Sequence, residues 1–259
     1  MKLNGIETLE LCFVVDVTGS MGSFIREAQT KVKSILDSVA SKGVNLRVSI
    51  VKYRDHCDSQ VTKKLSFTTD MDKVQKFIKG FRADGGGDYP EAVLDALQDC
   101  ANSKFTDNST RLAILIADAP PHGCDENSKP IKKNYKCKCG KTFFDTVSIV
   151  ESKALPVYSI NVSCHSDTDD AFKIISNFTG GKFFKGGLDS ARVIEGIVNN
   201  QVKVIKNSEK IVEYVTGEKI TDRMTIEELT EAIKHVGIDK NTFVKLYNNL
   251  ITVGVIKVK

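Results

Sequence analysis

Short apolar runs alternate with longer amphipathic stretches from Leu9 to Lys206. Leu9–Val15, Val44–Tyr53, Leu112–Ala117 and Val157–Val162 are nearly continuous apolar runs and predict buried strands. Val61–Phe67 is more polar and predicts an edge strand. Phe24–Val39 carries apolar residues at helical spacing (Ile25, Ala28, Val32, Ile35, Leu36, Val39), and helices are also expected over Asp70–Ile78, Tyr89–Cys100, 142–153, 168–177 and 189–206. Buried strands alternating with helices predict an α/β fold. Its sheet should be doubly wound and mostly parallel, with one antiparallel edge strand. Right-handed crossovers then bring the C-terminal ends of the parallel strands to one edge, where such sheets bind ligands.

The pattern changes twice. Residues 120–141 are polar and rich in Pro, Lys and Cys, and a loop of that length in a compact domain is usually functional or disordered. A second unit is expected over 207–259, after a first domain at 1–206. There Thr225–Val236 and Asp239–Leu250 predict two helices around Gly237, and 253–258 a strand. Thr225 with Glu228 forms a capping-box pattern; Asp239 is a second N-cap candidate. This arrangement resembles a winged helix-turn-helix. The unit holds eight Lys/Arg and eight Asp/Glu. DNA affinity needs clustered positive charge, so a packing or protein-binding role is expected ahead of DNA binding.

Chemistry gathers at the expected ligand-binding edge. Asp16-Val17-Thr18-Gly19-Ser20 follows the first strand and offers a carboxylate and two hydroxyls at alternate positions. Asp118 ends the strand Leu112–Ala117. Asp84-Gly85-Gly86-Gly87-Asp88-Tyr89-Pro90-Glu91 opens the preceding helix, its glycines permitting close backbone approach and its Pro90 and Glu91 suiting a first turn. Hard oxygen donors suit Mg²⁺, Mn²⁺ or Ca²⁺.

Together these segments resemble the metal-ion-dependent adhesion site of von Willebrand factor type A domains, over roughly residues 7–206. Tyr53-Arg54-Asp55-His56, Gly85–Glu91 and Ala117–Gly123 are most similar to the A domains of some protist α-kinase-type proteins. No kinase domain follows, so no kinase activity is implied. The resemblance implies ion ligands at Asp16, Thr18, Ser20 and Asp118. Asp88 stands where the family usually has Thr. As a third carboxylate it would bring the ligand charge to −3 against +2. The expectation is a tighter-held ion and a weaker draw on an acidic side chain of a partner.

Five of seven Cys and three of four His fall in loops at this same edge. Zn²⁺ takes four S or N ligands in a tetrahedron. Cys124, Cys137 and Cys139, with Cys164 or His165, would supply them. Asp55, His56 and His122 are expected behind the ion's ligands or at the rim of the site, with Arg54 and Asp55 as an ion pair. Cys12 and Cys100 read as packed apolar residues.

Net charge is +4, too small to require nucleic acid or an anionic membrane. No apolar run reaches the ~18 residues of a membrane span, and residues 1–8 lack a signal-peptide core. A cytoplasmic chain with reduced thiols is expected. The first reading is a divalent-metal-dependent protein-binding module, not an enzyme, whose protein partner docks at the metal-bearing edge. A metal-dependent hydrolase and a DNA-linked regulator are the alternatives; no Walker loop, metalloprotease motif or nucleophile elbow is present.

Overall fold

The computed structural model of the chain describes residues 8–107, 109–124, 129, 137–186, 190–217, 224–252 and 256, with the backbone alone at 33–35. Six strands form one sheet: β1 (Thr8–Asp16), β2 (Asn45–Tyr53), β3 (Thr62–Thr68), β4 (Thr110–Ala117), β5 (Val157–Asn161) and β6 (Phe183–Lys185). Their order is β3-β2-β1-β4-β5-β6. Every pairing is parallel except β2 with β3 at the edge. The sheet is thus the one expected from the sequence, with β6 added. That strand is three residues long, too short for any periodicity to declare it.

All nine residues of β1 are buried. Alternation sends Leu9, Leu11, Phe13 and Val15 to one face, where they pack with residues of α1 (Gly22–Ala40), α2 (Met71–Lys79) and α6 (Ser190–Gly217). Cys12 and Val14 face the other side, against α3 (Val93–Ala101), α4 (Phe143–Ser152) and α5 (Asp169–Thr179). Each fully buried Leu, Ile, Val or Phe contributes about 1.5–3 kcal/mol. Cys12 and Cys100 are fully buried, as expected of packed apolar residues.

Helix α3 starts at Val93, not at Tyr89. Residues 89–92 remain outside it because Glu91 N donates to Pro120 O (2.9 Å) and His122 N donates to Glu91 O (3.0 Å). A β-bridge to the loop after β4 replaces the first helical turn there.

Helix α6 runs unbroken through the boundary expected at 206/207. Ile194, Ile197, Val198, Val202 and Ile205 pack on the sheet's core. Ile211, Val212 and Val215 pack with α7 (Ile226–Val236) and α8 (Lys240–Thr252). Thr225 and Glu228 complete the capping box, Gly237 (φ 71°) ends α7, and Asp239 Oδ1 accepts from Thr242 N (3.0 Å). The strand expected over 253–258 falls, apart from the buried Ile256, outside the described residues. Among the described residues no helix is long and apolar enough to cross a membrane.

Candidate metal centre

The sheet reverses direction of winding between β1 and β4, and the carboxylates sit at that point. In the parallel register Val15 lies beside Ile116, so Asp16 and Asp118 emerge together from neighbouring strand ends. Asp16 Oδ1 accepts from Thr18 N (2.8 Å) and from the Thr18 hydroxyl (2.7 Å). Thr18 Oγ1 lies 3.4 Å from Ser20 Oγ, and the nearby Ser20 hydroxyl favours the charged form of the Asp118 carboxyl. Asp16, Thr18, Ser20 and Asp118 are therefore brought together.

A third acid joins them. Glu91 is 4% exposed, and the charges of Asp16, Asp55, Asp58 and Asp118 act on it. Burial first, and those charges next, push its carboxyl to about 9. Burial likewise pushes Asp16 to about 7 against the hydrogen bonds from Thr18, with Asp118 adding to the rise. Asp118 is also raised, by burial. Tyr53, fully buried, is raised well above its ordinary value by burial and by the charges of these three acids.

One oxygen of each acid has no protein partner: Asp16 Oδ2, Glu91 Oε2 and Asp118 Oδ1. This contrasts with Glu10, fully buried at the opposite end of β1. Its oxygens accept from Thr106 N (2.8 Å), Ser109 Oγ (2.6 Å), Thr106 Oγ1 (3.0 Å) and Arg47. The fold satisfies a structural carboxylate where it has one. Buried carboxylates with orphaned oxygens cost free energy unless a cation or proton meets them. Hard oxygens from three acids and two hydroxyls fit Mg²⁺, Mn²⁺ or Ca²⁺.

The glycine loop closes over the site. Gly19 N donates to Gly85 O (3.2 Å) and Asp84 N to Val17 O (3.2 Å). Gly86 has φ 86°, and a Cβ there would lie 2.9 Å from Glu91 Oε1 and 3.3 Å from Thr18 Cβ. Only glycine fits this position without displacing a donor. The cleft above, about 360 Å³, is lined by Thr18, Ser20, Asp88, Tyr89, Glu91, Asp118 and His165, among others.

Asp88 lines that cleft but turns away from the other acids. Its carboxylate pairs with Lys138 Nζ (3.2 Å) and stands 3.7 Å from His122 Nε2. The carboxylate packed beside Asp16 is Glu91, which the sequence presented only as a helix-start acid. Arg54 pairs with Asp84 (3.6 Å) and not with Asp55. Asp55 is fully buried and takes His122 Nε2 at 2.5 Å. Burial would raise Asp55, but hydrogen bonds from His122, His56 N–H and Cys57 bring it down to about 2.

A von Willebrand factor A domain profile matches residues 10–186, which span all six strands. The chain belongs to the von Willebrand factor A domain family. It is 33% identical over 178 residues to the putative ariadne-like RING finger protein R811 of Acanthamoeba polyphaga mimivirus, covering 67% of this chain and 18% of that one. It is 30% identical over 125 residues to the α-protein kinase vwkA of Dictyostelium discoideum, covering 47% and 20%. The A domain thus corresponds to about a fifth of either relative's length. The pilus adhesin SpaC of Lactobacillus rhamnosus GG shares the fold, with TM-scores of 0.56 in its open conformation and 0.55 in a second form. The identities there are 17% and 14%, over 80% and 79% of this chain and 31% of the adhesin in each form.

The A domain's thiols do not gather as the sequence suggested. Cys137 and Cys139 are bonded to each other, against the expectation of reduced thiols. Their sulfurs lie beside His56 and Asp95, with all four candidate ligand atoms within 4.8 Å of one another. Cys124 is buried in the core beside α3 and α4. Cys164 is exposed, and His165 lines the cleft of the first site. None of these three joins a ligand group with Cys137 and Cys139 among the described residues. Asp95 gave no signal in the sequence, where it is one more acid near a helix start.

Proposed function

We propose that this A domain is a protein-binding module whose docking edge is built around a divalent cation, Mg²⁺ first, with Mn²⁺ or Ca²⁺ as substitutes. Asp16, Thr18, Ser20 and Asp118 would hold the ion, and Glu91 would supply the third carboxylate. The reading is carried by the three buried, partnerless carboxylate oxygens of Asp16, Glu91 and Asp118; Glu91 and Asp118 line the open cleft, and Asp16 is tied to it through Thr18. The ion would supply positive charge that lets the acids ionise together and an exchangeable position for a partner's oxygen. The chain's own groups do the rest. Thr18 fixes Asp16, the Ser20 hydroxyl favours the charged form of Asp118, and the Gly85-Gly86-Gly87 loop shapes the rim.

With three acids around a +2 ion the site keeps net negative charge, so it favours a neutral or basic partner oxygen donor over a carboxylate. Tyr89, 47% exposed at the rim, offers an aromatic anchor for such a surface. Action within an intracellular, cytoplasmic complex is the setting this reading favours.

The test is a Mg²⁺ titration followed by thermal unfolding. A ligand at a hundred times its Kd stabilises the folded state by about 2.7 kcal/mol. Wild type should gain on that scale and Asp16→Ala should not. Proteins captured on the immobilised domain with Mg²⁺ should elute with EDTA. A wild-type unfolding curve indifferent to Mg²⁺, Mn²⁺ and Ca²⁺ would overturn the reading.

A further inference from the structure

We propose a second, independent metal site: Zn²⁺ bound by His56 Nε2, Asp95 Oδ2 and the thiolates of Cys137 and Cys139, formed when that cysteine pair is reduced. The four donors come from three separate elements: the loop after β2, helix α3, and the segment before α4. Tetrahedral zinc with Zn–S and Zn–N lengths near ~2.3 and ~2.0 Å places its ligand atoms roughly 3.3–3.8 Å apart. The four atoms here already lie within 4.8 Å of one another. His56 Nε2 and Asp95 Oδ2 are 2.8 Å apart, and Cys139 Sγ is 3.2 Å from the same oxygen.

The surroundings match what such a site needs. His56 Nδ1 is buried without a hydrogen-bond partner and faces Asp55 Oδ1 at 3.7 Å. A carboxylate on that side orients a metal-bound imidazole. Lys141 Nζ holds the other oxygen of Asp95 at 2.5 Å, leaving Oδ2 for the metal. Two thiolates and Asp95, set against Zn²⁺ and the Lys141 ammonium, leave the cluster neutral. The knuckle is preshaped: Gly140 (φ 84°) turns the chain, Gly140 N donates to Cys137 O (2.8 Å), and Cys137 N donates to Lys141 O (2.8 Å).

Oxidation state decides occupancy. A low-molecular-weight thiol reduces the Cys137–Cys139 bond: two R–SH become R–S–S–R, and each cysteine sulfur takes one proton. Zn²⁺ then displaces those two protons to the solvent. In the oxidised form the sulfurs are bonded to each other and cannot serve as thiolates. The metal would fasten the Cys137 knuckle to α3 and to the rim of the first site, where Lys138 pairs with Asp88.

The experiment is zinc uptake by the full chain under anaerobic reduction with excess Mg²⁺, so that the first site's fate does not enter. The expected result is one zinc per chain. Cobalt in its place should show the visible bands of a tetrahedral thiolate complex. Diamide-oxidised protein should take up none. Cys139→Ser and Asp95→Asn should each lose the zinc while keeping wild-type circular dichroism; should either misfold, the cobalt spectrum of His56→Ala serves in its place and should lose its tetrahedral form. Cys164→Ser and Cys124→Ser should keep it. Reduced wild type that takes up no zinc, or Cys164→Ser that loses it as fully as Cys139→Ser, would overturn the proposal.

Discussion

His122 Nε2 stands 2.5 Å from Oδ1 of the fully buried Asp55, tying the loop after β4 to the loop after β2. Asp55 titrates near 2 in the folded chain, below its ordinary 3.8. A depressed acid stabilises the fold above its unfolded value, and that contribution is lost as pH falls through the folded value. Stability should therefore drop between pH 3.8 and about 2 through this group. His122→Ala leaves a buried acceptor unpaired and should cost about 1–3 kcal/mol at neutral pH. It should also shift the acid limb upward. Urea denaturation across pH checks both.

The acids of the first site have the opposite sign. Asp16 rises from 3.8 to about 7 and Glu91 from 4.5 to about 9. For a raised acid, stability is complete below the unfolded value and declines as pH climbs to the folded one. Metal-free protein should thus lose stability steadily from about pH 4 to about pH 9 through these two groups. Saturating Mg²⁺ should flatten this decline, because it replaces the protons. Thermal melts with EDTA and with Mg²⁺ at each pH measure it; parallel curves would contradict it.

Glu91→Gln and Asp88→Thr separate two acids that the sequence could not rank. Glu91→Gln removes a buried charge. It should raise metal-free stability at pH 8 and weaken Mg²⁺ about tenfold, a change worth ~1.4 kcal/mol. Asp88→Thr removes a carboxylate already paired with Lys138. It should leave Mg²⁺ affinity within about threefold. Calorimetric titration of both variants decides between them.

Gly86→Ala should be harmful out of proportion to its size. The new methyl meets Glu91 Oε1 and Thr18 Cβ, and the backbone sits at φ 86°. Left-handed strain alone costs about 1–3 kcal/mol. The variant should lose that much stability in urea and also lose Mg²⁺ affinity. Gly43→Ala, also at positive φ but with nothing within 4 Å, should show the strain without the metal defect.

The periodic core determined much of this protein from sequence alone. Four apolar runs separated by amphipathic helices dictate a parallel sheet with helices on both faces, because each apolar face must be covered. Asp16, Thr18, Ser20 and Asp118 were legible because strand ends in such sheets converge at a known edge. Glu91 was not. Its position follows from backbone bonds to Pro120 and His122 that hold it out of helix α3, and no local pattern encodes that long-range pairing. Nor could local pattern show that Asp88 pairs with Lys138, fifty residues away. The cysteines were visible, but their company was not. His56, Asp95 and Cys137–Cys139 meet because α3 packs beside the ends of β2 and the segment before α4. Sequence sets what each segment forms; packing of segments far apart in the chain sets which side chains face one another.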